Sequence, residues 1–152
     1  MKRPIPIALL MLFALLSATA YSQNTTTAKP RLFANFPDRI NCSITELSKV
    51  FTTAATRSID LSFSDNFLFS GTVTSNVVKY ANLQTVVIKS PRFGDAIFVL
   101  SKITVTDGSS NYVGHIINTK YFDGYDLKRD ASGNYQLIKI ETSKVIQDCS
   151  QN

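Results

Sequence analysis

The feature that most constrains this chain is a change of period near Ser58. Before it, Ile44, Leu47, Val50, Phe51 and Ala54 recur at helical spacing on one face. After it, Ile59, Leu61 and Phe63 alternate with polar partners, and Phe67, Phe69, Gly71 and Val73 repeat the pattern. A period of two is the signature of half-buried strands. Val86-Val87-Ile88 is a short buried run, and Tyr112–Ile117, Tyr125–Leu127 and Tyr135–Ile140 add further strands. Ile97, Val99, Ile103 and Val105 share one face of a long strand. Phe98 and Leu100 lie on its other face, which implies that this face is partly covered as well.

Turn chemistry marks the breaks: Ser64-Asp65-Asn66, Pro91 with Gly94-Asp95, Asp107-Gly108, Asp123-Gly124, and Asp130 to Asn134 around Gly133. Connections this short favour antiparallel neighbours, and no helical pattern falls between strands to supply a crossover. Ser43-Ile44-Thr45-Glu46 reads as a capping box, with a serine hydroxyl for the third helical N–H and a glutamate reaching back, so a helix runs from about Ile44 to Ala55. The expected fold class is α+β. One N-terminal helix packs on a strongly twisted, half-barrel-like antiparallel meander of about six to seven strands. Gly71 marks a bulge or a close backbone approach.

The N-terminus reads as an export signal. Lys2 and Arg3 precede an apolar run from Ile5 to Leu16, and Ala18-x-Ala20 supplies the small side chains that signal peptidase needs. That run is roughly 12 residues, short of the ~20 needed to span a bilayer. The expected organisation is a signal peptide over 1–20, a disordered threonine-rich leader over 21–30, and one secreted α+β domain over 31–152. Cleavage after Ala20 is the first expectation and cleavage after Ser22 the second. The expected location is secreted, periplasmic or extracellular, with no membrane span in the mature chain.

The 152-residue chain carries a formal charge of +5, and without Lys2 and Arg3 the balance is 14 basic to 11 acidic residues. The basic residues are scattered, which argues against nucleic acid as a partner. Cys42 and Cys149 are the only cysteines, near the two ends of the folded part. In an oxidising compartment they are expected to form one disulfide. That bridge would close a loop of roughly 107 residues, worth up to ~4–5 kcal/mol in the chain-entropy view.

Reactive constellations are sparse. His115 is the only histidine, it sits mid-strand, and no G-x-S-x-G elbow surrounds any serine. Metal-ligand spacing is missing, and Asp123, Asp126 and Asp130 do not match a calcium loop, so no metal or cofactor is expected. Gln84-Thr85-Val86-Val87-Ile88 is similar to the Q-x-V-x-G loop of cystatins, but Ile88 stands where that motif has glycine, and the segment reads as a buried strand.

One surface feature stands out. Lys120, Tyr121, Phe122, Tyr125, Lys128 and Arg129 crowd around Asp123-Gly124. Amphipathic rings beside basic groups suit contacts to protein, peptide or carbohydrate. The competing reading is cross-strand aromatic pairing. The functional expectation is a secreted, non-catalytic binding or interaction domain of accessory or inhibitor-like type. The alternative is a small exported enzyme using His115 with a nearby carboxylate in a half-barrel pocket.

Overall fold

The computed structural model describes residues 29–142. The expected signal peptide, the leader up to residue 28, and Cys149 lie outside them. The chain forms β1 (Arg39–Cys42), α1 (Ile44–Thr52), β2 (Ser58–Ser64), β3 (Phe67–Tyr80), β4 (Leu83–Ser90), β5 (Ala96–Thr104), β6 (Ser110–Ile117), β7 (Asp123–Arg129) and β8 (Tyr135–Glu141). A single 3-10 turn, Pro91–Phe93, joins β4 to β5. All neighbours are antiparallel, in the order β1-β8-β7-β6-β5-β4-β3-β2. The end strands β1 and β2 return beside each other, so the sheet is nearly barrel-shaped.

The antiparallel meander and its helix were legible, but the strand count was not. The described residues form eight strands, and the helix follows β1 rather than preceding the sheet. With only four residues, β1 is too short to display a period and exists through its pairing with β8, as in Ile40↔Leu137. The helix stops at Thr52, short of Ala55, and Thr53 caps it in an extended conformation. The hydroxyls of Thr52 and Thr53 both donate to the Lys49 carbonyl, at 3.0 Å each, closing the last turn. Ser43 caps the N-terminus by accepting from Glu46 N at 3.1 Å. Half of the capping box is different: Glu46 accepts from Ser62 N on β2 at 3.1 Å, tying helix to sheet.

Leu47, Val50 and Phe51 bury the inner face of α1, whereas Ile44 is 56 % exposed. Alternation places Ile59, Leu61, Phe63, Phe67, Phe69 and Val73 in the core, as their spacing predicts. Ile88 is buried in β4, in keeping with the strand reading of its segment. Gly71 does mark a close approach: a Cβ there would meet the Lys89 carbonyl at 2.6 Å. One end of the barrel is filled by rings, with Phe67 in contact with Phe33, Phe36, Phe63, Phe93 and Tyr125. Phe33 comes from the segment before β1, which crosses this end as a strap.

Of the expected Cys42–Cys149 bridge only Cys42 lies among the described residues: it sits in the core, its thiol donating to the Ile40 carbonyl at 3.6 Å, with no disulfide at bonding distance. Burial pushes this thiol up to about 12, which keeps it neutral and unreactive at ordinary pH.

Candidate functional site

The Asp123-Gly124 pair does not form the expected hairpin turn; it opens strand β7. The turn lies earlier, from Asn118 to Phe122, and is built by a buried amide. Asn118 Nδ2 donates to the Gly94 carbonyl at 2.7 Å, and its Oδ1 accepts from Lys120 N at 3.0 Å. Asp123 instead faces inward, where its carboxylate accepts from Leu32 N at 2.6 Å and Phe33 N at 3.0 Å. Gly124 is needed because a Cβ would meet the Ile116 carbonyl of β6 at 2.5 Å. Both residues therefore pin the strap and let two strands approach.

This changes the candidate cluster. Tyr125 has no exposed surface, and its hydroxyl donates to the Pro37 carbonyl at 2.7 Å. Burial, and then the charges of Asp123 and Asp38, raise its pKa well above that of an ordinary phenol. Phe122 is half-buried beneath Arg31, whose guanidinium lies 5.2 Å from the ring centre. Lys128 and Arg129 lie at the far end of β7, ~20 Å along the strand from Phe122. There Lys128 pairs with Asp126 at 2.6 Å, and Arg129 reaches Asn111 at 2.8 Å. Lys120, Tyr121 and Phe122 share one loop, but the six residues do not make one patch. The premise of exposure fails for Tyr125, which is packing.

His115 pairs in register with Val99 on β5 and Asp126 on β7. Its strand neighbours Tyr112 and Ile116 are buried in the core, so by alternation His115 and Asp126 stand on the outer face. The side chains inside the barrel are Phe98, Leu100, Ile116, Leu127 and their aromatic neighbours. His115 therefore does not face a half-barrel pocket. No group of three or more His, Cys, Asp or Glu able to hold a metal occurs among the described residues, nor does a helix long and apolar enough to cross a membrane.

The outer face around His115 is the surface that sequence reasoning misjudged. In β5 the inward residues are Phe98 and Leu100, both without exposed surface, while Ile97 points outward and is 39 % exposed. The register aligns four rows across this outside. One row is Val77, Thr85, Ser101 and Val113; the next is Val87, Val99 and His115. Lys89, Ile97 and Ile117 flank them on one side, and Leu83, Ile103 and Asn111 on the other. Val77 and Val113 are about half exposed, at 49 % and 48 %. Thr85 and Ser101 hydrogen-bond each other at 2.9 Å in the centre. The signal was present in the sequence: β5 is apolar on both faces, and only one face can be core.

Past Ile97 and Ile117 the face runs into a cavity of about 210 Å³, bounded by Gly94, Asp95, Asn118 and Lys120. Lys89 pairs there with Asp95 at 3.3 Å. Comparison with family models, with curated proteins and with solved structures finds no match.

Proposed function

We propose that this chain is an exported, non-catalytic interaction domain that binds through the outside of its barrel, principally the apolar face of β3 to β6. The observation that carries this reading is the two-sided apolar character of β5. Phe98 and Leu100 complete the core, and the exposed Ile97 with the part-buried Val99 and Ile103 forms a second apolar surface. Contiguous apolar surface of this kind marks contact sites, because monomers seldom leave it uncovered. The closed aromatic interior favours a surface mode of binding over an enclosed ligand. Lys120, beside the end of the face, contributes a cation to its rim. A protein or peptide partner fits this surface better than a carbohydrate, since sugars need more hydrogen-bonding groups than Val, Ile and Leu provide.

The test is capture from the native extracellular fraction with the immobilised chain, comparing it with Val113→Asp. A partner retained by the native chain and lost by the variant supports the reading. Substrate turnover that disappears in His115→Ala, with unchanged melting, contradicts it and restores the enzyme alternative.

A further inference from the structure

We infer that the outer face of β3 to β6 is a self-association surface on which a second copy of this chain packs face to face. The inference rests on the surface-binding reading above and names its partner.

Four strands ~4.8 Å apart and four rows give a face of roughly 400 Å² in projection, the larger part of it apolar. A standard interface buries about 800 Å² per partner. The face with one ring of rim residues reaches the lower part of that range. Two copies of one twisted sheet can stack with their strands about 30° apart and their inner side chains interdigitated. Val77, Val99, Ile97 and Val113 present short branched side chains that suit such a contact.

The polar pair at the centre of this face does not oppose its burial. Thr85 is only 8 % exposed already, and its hydroxyl is bonded to that of Ser101 at 2.9 Å. The centre can therefore lose its water at little cost. At the rim, Lys89 pairs with Asp95 at 3.3 Å and Lys128 with Asp126 at 2.6 Å, while Lys120 adds one further cation.

The sheet's own edge fits less well. Edge-to-edge pairing through β3 is opposed by register shifts at Val73/Ser75 and Val78/Tyr80 and by Lys79. Bulges and lysines are common guards of a free strand edge.

The test is sedimentation velocity of the purified chain in reductant, from roughly 1 µM to roughly 200 µM. Expected is a monomer at the dilute end and a dimer at the concentrated end. Val113→Asp and Ile97→Lys should each weaken the dimer by more than ~30-fold, with melting at the dilute end unchanged. Val78→Asp is the control: Val78 is 66 % exposed but lies on the opposite side of the β3 hairpin, and the dimer should persist. A monomer throughout, a dimer that survives both face variants, a dimer lost equally in Val78→Asp, or one abolished by reductant would each overturn the inference. A monomer that loses a different captured protein in Val113→Asp overturns the dimer alone and leaves the interaction-domain reading standing. A dimer combined with His115-dependent turnover does the reverse.

Discussion

The two faces of β5 are built from the same chemistry and meet opposite fates. Phe98 and Leu100 are sealed among rings, whereas Ile97, three atoms of backbone away from Phe98, is 39 % exposed. The difference lies in what the neighbouring elements bring. Inside, the strap delivers Phe33 and the helix delivers Phe51, so each apolar row is covered from both ends. Outside, the rows of β3 to β6 meet no element of the described chain. Apolar composition therefore does not locate the core; the elements available to cover a face do.

The largest effect that can break this comparison is expected at Phe67. Its ring contacts five others, so Phe67→Ala should cost about 3–5 kcal/mol in urea unfolding. A loss no greater than for an outer valine would mean that the interior is not sealed.

A smaller loss is expected for Asp123→Ala, which leaves Leu32 N and Phe33 N without their carboxylate. The cost should be about 1.5–3 kcal/mol, with faster hydrogen exchange confined to the strap. Slow exchange at Leu32 and Phe33 in the variant would remove Asp123 as their anchor.

Alkaline pH probes the same interior. The thiol of Cys42 is raised from 9.0 to about 12, so the unfolded chain ionises first. Its contribution is complete below pH 9 and is lost as pH rises toward 12. Tyr125 adds a loss of the same sign at still higher pH, since burial also raises its pKa. Stability should therefore fall through this window, and Cys42→Ala should flatten its lower part. A native chain with no slope near pH 9–12 would instead mean that Cys42 is bonded and has no proton to lose.

The smallest effect belongs to the outside. Val113→Asp in dilute solution should change stability by no more than ~0.5 kcal/mol. A larger loss would place Val113 in the packing of the monomer.

The helix, the antiparallel order and most inward positions of β2 and β3 were legible because each run is apolar on one side only. β5 was ambiguous for the opposite reason: both sides are apolar, and period alone cannot say which faces the helix. The N-terminal part of β7 was misread because an Asp before a Gly has the composition of a turn whether it is exposed or, like Asp123, buried on backbone amides. The candidate cluster failed with it, since sequence proximity placed Tyr125 beside Phe122 while strand alternation turned its ring inward. His115 beside Asp126 was illegible, because their pairing depends on the register between β6 and β7.

The most direct measurement is the relaxation of isoleucine and valine methyl signals by a soluble gadolinium chelate, at low and high protein concentration. Expected at low concentration is strong relaxation of Ile97 and Val113 and none of Ile88 and Ile116, which have no exposed surface. At high concentration Ile97 and Val113 should lose most of that enhancement while Ile88 and Ile116 stay unaffected. Shielding of Ile97 and Val113 already at the dilute end, or access of the chelate to Ile88 and Ile116, would contradict a sealed interior paired with an open apolar outer face.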